Sequence, residues 1–270
     1  MRVVLHILLL GAAVLASAAY AGGDAQPAGR LLVHFHGIGG QRWWDTAFVN
    51  ALREGGLDGE VITCNWTDNI HPLTVLRACD RNRREASAIA RLITERYRQN
   101  PARRIYITGH SGGAAIAVWA LEDLPDDVVV EAVALIAPAL SPDYDLSRAL
   151  RRVRTRMYVF SSPRDRVLLD WGTRLLCTMD GRQSRAAGLY GFVMPAGADV
   201  RQYAKLSPQP YRTEWLRCYG NLGSHICAMR PLFARLYIAP LLLTGRAPTP
   251  PAGESAAQHA AALGRQNSDG

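Results

Sequence analysis

Five consecutive residues near the middle of the chain, Gly109-His110-Ser111-Gly112-Gly113, form a G-x-S-x-G pattern that can make a serine reactive. The preceding residues, Ile105 to Thr108, are β-branched or aromatic and predict a short buried strand. The following residues, Ala114 to Leu121, are small or apolar and predict a buried helix. A serine on such a sharp strand-to-helix turn exposes its hydroxyl beside the free N–H groups of the new helix. Ser111 is therefore the candidate nucleophile.

With 24 glycines in 270 residues, a pentapeptide of this kind also arises by chance. Whether Ser111 is a nucleophile therefore depends on finding a base and an acid elsewhere in the chain. A serine hydroxyl is a poor nucleophile until a base accepts its proton, and a carboxylate usually orients that base. Among the seven histidines, His225 is the only one late in the predicted folded region. His225 is therefore the candidate base.

The candidate acid is Asp165, on a turn directly after the predicted strand Met157–Phe160. Asp is also a frequent N-cap, so Asp165 has an alternative role at the start of a helix near Val167. Asp143 and Asp145 follow the preceding predicted strand and remain competing candidates for the acid.

Two backbone N–H groups are needed to stabilise the oxyanion of an acyl-transfer transition state. One is expected from Gly112, at the start of the helix after Ser111. The other is expected from Ile38, because the glycine-rich loop His36–Gly40 lets its backbone approach a substrate closely. The alternative for this loop is an ordinary connection between a strand and a helix.

Three side chains next to these groups, Trp43, Trp44 and His110, are candidate substrate-binding residues. For the two tryptophans an equally good interpretation is structural, with one ring packed against the sheet and the other partly exposed.

Strands alternate with helices along the chain, and each strand is a nearly continuous apolar run, which is typical of a parallel sheet covered on both faces. Strands are predicted at Leu31–His36, Glu60–Cys64, Ile105–Thr108, Val128–Ile136, Met157–Phe160 and Glu214–Tyr219. Helices are predicted from about Thr46, over 80–99, Ala114–Leu121, Ser147–Val153, Val167–Leu176 and Pro231–Leu243. The stretch 178–210 has no clear period, and a lid over the site is one alternative for it. In such sheets function lies at the carboxyl ends of the strands, where the candidate residues fall.

The order of nucleophile, acid and histidine, Ser111, Asp165 and His225, together with the loop His36–Gly40, resembles the α/β-hydrolase superfamily over about residues 31–243. The resemblance is to small bacterial serine esterases and lipases without a large cap. It implies a three-layer α/β sandwich with a mostly parallel central sheet of about six strands. In those enzymes the residue after His-Gly donates an oxyanion N–H, which here is Ile38. The first two strands of the superfamily are missing from the predicted pattern.

The resemblance also implies a function, a serine carboxylester hydrolase that works through an acyl-enzyme. No metal and no organic cofactor are expected, and the substrate would be a small-molecule or lipid ester. An acyltransferase or amidase with the same triad is one alternative, and a non-catalytic binding protein with this fold is another. We expect a monomer, and peripheral contact with a membrane is an alternative.

The net charge of +8 does not indicate a nucleic-acid partner. The arginines are spread along the chain, and their two short groups, at 81–84 and 151–156, fall where helices would present solvated faces. No aromatic RNA-binding pattern or zinc spacing accompanies either group.

The N-terminus predicts export. Arg2 precedes an apolar run from Val3 to Ala18, and Ala19-Tyr20-Ala21 matches the small-x-small pattern of signal-peptide cleavage. The expected organisation is a signal peptide (1–21), a loose leader (22–29), an α/β-hydrolase domain (30–245) and a disordered tail (246–270). An uncleaved membrane anchor is the alternative to cleavage. The five cysteines allow up to two disulfides in an exported chain, with no pairing implied.

Overall fold

A computed structural model describes residues 29–68, 70–165 and 177–248. The predicted signal peptide, residues 22–28 of the leader, the predicted helix Val167–Leu176 and residues 249–270 of the tail lie outside these ranges. Within the described residues, no helix is long and apolar enough to cross a membrane.

The described residues contain one six-stranded sheet in which every pair of neighbouring strands is parallel. Its strands are β1 (Arg30–Phe35), β2 (Glu60–Cys64), β3 (Arg104–His110), β4 (Ala132–Ile136), β5 (Met157–Ser161) and β6 (Leu206–Pro210). The order across the sheet is β2-β1-β3-β4-β5-β6, so that β3 lies between β1 and β4. The predicted α/β class and the sheet of about six strands are confirmed.

The helices of the described residues connect these strands across both faces of the sheet. They are α1 (Trp43–Glu54), α2 (Pro72–Arg77), α3 (Cys79–Gln99), α4 (Gly112–Glu122), α5 (Ser147–Arg151), α6 (Ala187–Tyr190), α7 (Val200–Tyr203), α8 (Glu214–Tyr219), α9 (Pro231–Phe233) and α10 (Ala239–Thr244). A 3₁₀ turn (Cys227–Met229) precedes α9, and a π-helical turn (Ala234–Ile238) joins α9 to α10.

Alternation along each strand divides the core into two layers. On β1, the side chains of Leu31 and Val33 face the core under α3, α4 and α5, and Leu32 faces the core under α1 and α8–α10. Successive side chains of a strand point to opposite faces, so a strand buried on both faces is apolar along most of its length. The helix α4 is buried along its whole length between the sheet and its neighbours.

The last strand is where the sequence prediction was wrong. Glu214–Tyr219 forms the helix α8, in which Trp215 and Tyr219, four residues apart, are buried on one side. This i, i+4 spacing is typical of a helix. The segment has only six residues, however, and so short an apolar segment can be mistaken for a strand. The true sixth strand, β6, lies in the unassigned stretch 178–210.

The edge position of β6 explains why its sequence was not recognised as a strand. It pairs only with β5 and contains Pro208 and Pro210, which cannot donate to a ladder and are tolerated at the edge of a sheet. It also lacks the continuous burial of the inner strands. The prediction at Val128–Ile136 was too long, since β4 begins at Ala132 and Val130 forms only an isolated bridge to Val153.

The thiols of Cys64, Cys79, Cys177 and Cys218 are free in the described part of the chain. No disulfide therefore joins any two of these four residues.

The crossing of α4 over β1 predicts the effect of one substitution. A Cβ on Gly113 would overlap the carbonyl oxygens of Phe35 and His36. We therefore expect Gly113→Ala to lower the free energy of unfolding by about 3 kcal/mol, the upper end of what overpacking costs. Urea unfolding followed by circular dichroism measures this change.

The matched control is Gly39→Ala, because an added Cβ there meets no heavy atom closer than 3.7 Å and the residue does not have positive φ. We expect this control to change stability by about 0.5 kcal/mol or less. Equal stabilities of the two variants would contradict the close approach at Gly113.

Candidate active site

Ser111 lies on the turn between β3 and α4, in a backbone conformation that non-glycine residues rarely adopt, with φ 55° and ψ −121°. Its N–H donates to the carbonyl of Ile136 at 2.9 Å, and its own carbonyl accepts from Ala139 N–H at 3.2 Å. These two bonds attach the turn to the segment that follows β4. Ser111 is buried, at 8% exposure.

Glycine on each side of Ser111 makes the turn possible. A Cβ on Gly109 would lie 2.7 Å from the Cα of Ala114 in the first turn of α4. Gly113 touches the end of β1, as described above. The strand and the helix can therefore meet at Ser111 only because these two positions have no side chain.

Asp165 and His225 are brought together although 60 residues separate them in sequence. The distance from His225 Nδ1 to a carboxylate oxygen of Asp165 is 2.5 Å. Asp165 follows β5 on a turn in which its N–H donates to Ser162 O at 3.2 Å, and its side chain is buried. His225 lies in the loop after α8, where Gly223 with φ +79° accommodates the return toward the sheet edge. This contact would fix the tautomer of His225 with its proton on Nδ1.

His110, the residue before Ser111, connects the turn to the loop of His225. Its Nε2 lies 3.1 Å from the carbonyl oxygen of His225, and the two rings have centroids 4.7 Å apart. Since a carbonyl only accepts, the proton of neutral His110 is on Nε2 and its Nδ1 is unprotonated. The loop of His225 is thereby held beside Ser111.

Burial keeps His110 neutral. The pKa of His110 is lowered to about 3, mainly by burial and in addition by the charge of the nearby His225. At 4% exposure His110 lies beneath the surface. The structure therefore places it against the loop of His225, and a direct contact with substrate, as expected from the sequence, would require movement of that loop.

Ile38 and Gly112, the expected oxyanion donors, lie side by side. A Cβ on Gly112 would overlap Cγ2 of Ile38, which shows how closely the glycine-rich loop approaches the start of α4. As the first residue of α4, Gly112 has an N–H without an acceptor within the helix. The two residues thus converge next to Ser111.

The glycine-rich loop is supported by Trp66, which sequence reasoning did not single out. Its Nε1 donates to the carbonyl of His36 at 2.8 Å, and its ring stacks on the His36 imidazole at a centroid distance of 6.0 Å. Arg81 in turn donates to the carbonyl of Trp66 at 2.8 Å. In the sequence, the only sign of this contact is that Trp66 follows the carboxyl end of β2 by two residues, close to where the site is expected.

A second buried His–Asp pair lies under α1. His34 Nε2 is 3.1 Å from Asp45 Oδ1, and its Nδ1 is 2.9 Å from Thr108 Oγ1. Burial raises the pKa of Asp45, but hydrogen bonds from His34 and from the Arg42 N–H together outweigh it, so the net shift is downward. α1 begins at Trp43, three residues before the predicted start at about Thr46, and Asp45 in its first turn accepts from the Arg42 N–H at 2.8 Å.

The remaining sequence candidates lie apart from the Asp165–His225 contact. Asp143 pairs with Arg182 at the surface, and Asp145 accepts from the N–H of Ser147 at 2.9 Å. Both carboxylates lie in the segment after β4 and have structural partners.

The two tryptophans differ in exposure. Trp43 is 75% exposed, whereas Trp44 is partly buried against the core under α1, and their rings touch edge to face at 5.7 Å. This arrangement corresponds to the structural interpretation given above. Trp43 remains available to contact a ligand at the surface.

No group of three or more His, Cys, Asp or Glu side chains in the described ranges is arranged to hold a metal ion.

The fold and the turn around Ser111 define an α/β hydrolase. The family DUF900, described as alpha/beta hydrolase of unknown function, matches residues 25–174, and the chain belongs to this family. No curated protein matches the sequence.

Two solved structures have a similar fold. The LpqC poly(3-hydroxybutyrate) depolymerase of Bordetella parapertussis is 16% identical with a TM-score of 0.50, over 89% of this chain and 84% of that one. Lipase B of Aspergillus fumigatus is 15% identical with a TM-score of 0.51, over 87% of this chain and 56% of that one. At these identities the similarity concerns the fold.

The buried neutral state of His110 predicts a pH dependence of stability. The pKa of a histidine in the unfolded chain is about 6.5. Between this pH and the folded pKa of about 3, the unfolded chain binds a proton at His110 that the folded chain does not. Stability should therefore fall as the pH drops through this window, by at most about 1.4 kcal/mol per pH unit from this residue.

We expect His110→Gln to lose less stability than the wild type between pH 6.5 and 4, measured by urea unfolding at a series of pH values. His36, whose pKa is also lowered in the folded chain, acts in both proteins and cancels in the difference. Parallel stability profiles of the two proteins would contradict a buried neutral His110.

Proposed function

We propose that this protein is an exported serine hydrolase that cleaves carboxylic esters through an acyl-enzyme. Ser111 is the nucleophile, His225 the general base and Asp165 the residue that orients it. The observation that carries the proposal is the 2.5 Å contact between His225 and Asp165, in a loop that His110 holds next to the strained turn of Ser111.

The first half of the reaction follows from this arrangement. His225 Nε2 accepts the proton of Ser111 Oγ as the oxygen attacks the ester carbonyl carbon, and the negative charge develops on the carbonyl oxygen. The N–H groups of Ile38 and Gly112 donate to that oxygen, with each such donor contributing roughly 3 kcal/mol to lowering the barrier. The protonated His225 then gives its proton to the leaving alcohol, and the acyl group stays on Ser111.

The second half repeats these roles with water. His225 takes a proton from a water molecule as its oxygen attacks the acyl carbon, and the same two N–H groups bind the new oxyanion. The carboxylic acid leaves as Ser111 regains its proton from His225. Asp165, buried at 5% exposure, stabilises the positive charge of His225 in both halves.

Two further points support ester cleavage. The matched family is one of alpha/beta hydrolases, and the two solved structures with the same fold carry the names of a depolymerase and a lipase. The strained conformation of Ser111 is stabilised by the packing of Gly109 and Gly113, and such strain is often stored at functional sites.

The nucleophile is tested by Ser111→Ala. We expect this variant to lose ester cleavage and labelling by a fluorophosphonate probe, because Oγ is the atom that both reactions modify. Its unfolding midpoint should remain within a few degrees of the wild type, since alanine removes only one oxygen atom from this position. The rate is measured with a soluble p-nitrophenyl ester and the labelling by mass spectrometry.

Ser141→Ala is a matched control, since Ser141 is also a buried serine near the carboxyl ends of the strands and its Oγ binds Asp180. This control should keep its labelling. Persistent labelling of Ser111→Ala would refute the assignment, and an unlabelled wild type would favour a non-catalytic protein. A preference for amide over ester substrates would favour the amidase alternative.

The acid is tested by Asp165→Asn. The amide cannot hold the required tautomer of His225, so we expect kcat to fall by ~10⁴ with the fold intact. Asp143→Asn and Asp145→Asn should leave kcat nearly unchanged, with a stability loss of about 1 kcal/mol where the turn at Asp145 is weakened. A larger loss of kcat in either control than in Asp165→Asn would reassign the acid.

A further inference from the structure

The hydrogen bonds of the glycine-rich loop hold its carbonyl groups and leave one N–H free. The carbonyl of Gly37 accepts from the N–H of Gly40 at 3.2 Å, and it also lies 2.9 Å from Nδ1 of His36, which is therefore the donor. Among the described residues, no group accepts the N–H of Ile38. The loop is thus closed by its own hydrogen bonds, while the N–H of Ile38 stays available for an oxyanion.

The carbonyl of His36, the first residue after β1, is fixed by two contacts. The first is with Trp66, whose Nε1–H donates to it at 2.8 Å. The second is with Gly113 of α4, where an added Cβ would lie only 2.2 Å from the same oxygen. Because the peptide unit is planar, fixing this carbonyl also fixes the N–H of Gly37, the residue before Ile38.

The indole of Trp66 also reaches the second oxyanion donor. A Cβ on Gly112 would lie 3.5 Å from Cη2 of Trp66, and the ring stacks on the imidazole of His36 with centroids 6.0 Å apart. Trp66 therefore contacts the first residue of the loop and approaches the first residue of α4. Its side chain is completely buried in a close-packed core, so a displacement of the ring would shift both segments.

The backbone of Trp66 is held in turn from α3. Arg81 donates to the carbonyl of Trp66 at 2.8 Å and to a carboxylate oxygen of Asp68 at 2.7 Å. The side chain of Arg81 is mostly buried, and hydrogen bonds from a charged donor are stronger than those between neutral groups. The position of Trp66 thus depends on a helix outside the loop that it contacts.

We propose that Trp66 is a positioning residue for the two oxyanion donors, the N–H groups of Ile38 and Gly112. Its Nε1–H holds the carbonyl of His36, and its ring keeps the loop next to the start of α4, so that both donors point at one oxygen atom. The inference rests on the proposed function, because it concerns the oxyanion of that reaction. Such donors act only when they are correctly placed, and a misplacement of about 1 Å can cost about 100-fold in rate.

The chain offers a matched control in Trp119 of α4. Both tryptophans are buried in the same core layer, at 0% exposure for Trp66 and 1% for Trp119. Nε1 of Trp119, however, has no hydrogen-bond partner among the described residues. Replacement by phenylalanine removes the same atoms from the core at either position, whereas only Trp66→Phe removes a hydrogen bond from the loop.

The experiment measures kcat and KM of both variants with the soluble p-nitrophenyl ester. We expect Trp66→Phe to lower kcat by roughly 10- to 100-fold with KM nearly unchanged, because the donors act in the transition state. Trp119→Phe should leave kcat nearly unchanged. The inhibition constant of a trifluoromethyl ketone, whose adduct with Ser111 carries an oxyanion, should rise in Trp66→Phe by about the factor by which kcat falls.

A second replacement keeps the test valid if Trp66→Phe does not fold. In benzothienylalanine a sulfur atom takes the place of the ring N–H, so this amino acid at position 66 keeps the shape of the indole and removes only the donor. We expect it to lower kcat with KM nearly unchanged, while the circular dichroism spectrum stays that of the wild type.

Equal kinetics of Trp66→Phe and Trp119→Phe would overturn the proposal, and so would a lower kcat without a rise in the inhibition constant of the ketone. If Trp66→Phe does not fold, an unchanged kcat with benzothienylalanine would overturn it. The failure of the proposed function gives a different result, a wild type that the fluorophosphonate probe does not label at Ser111. A labelled wild type whose two phenylalanine variants are equally active contradicts the role of Trp66 alone.

Discussion

The close approach of three backbone segments around Ser111 is the constraint on which the site depends. The end of β3, the start of α4 and the end of β1 meet where Gly109 and Gly113 have no side chains. This packing holds Ser111 at φ 55° and points the unpaired N–H groups of α4 toward the same place. A single Cβ would separate the segments, so the reactivity of the serine and the packing of the core depend on the same contacts.

Polar groups continue from this turn into the interior on the side of α1. His34, Thr108 and Asp45 form one hydrogen-bonded group, and His110, which bonds the carbonyl of His225, interacts electrostatically with His34 and Asp45. Buried polar side chains cost free energy unless they are hydrogen-bonded, so the geometry of such a row is narrowly defined. The hydrogen bond between His110 Nε2 and the carbonyl oxygen of His225 is what connects these buried groups to the loop of His225.

Loops that are distant in sequence come together at this turn. The carboxyl ends of parallel strands meet at one edge of the sheet. The turn with Asp165 after β5 and the loop with His225 after α8 therefore reach the same place as Ser111 after β3.

The sequence alone determined the α/β class, the strands β1, β2, β3 and β5, and the turn at Ser111, because burial on both faces leaves continuous apolar runs and the turn requires small residues at fixed positions. It did not identify β6, where an edge strand with two prolines carries little pattern. It also named Asp165 and His225 only as candidates. Their 2.5 Å contact joins residues that are 60 positions apart, which no local sequence pattern can predict. It depends on the loops that return the chain to the edge of the sheet. The His34–Asp45 pair likewise exists only because α1 packs over β1, since hydrogen bonds between distant segments depend on tertiary packing rather than on periodicity.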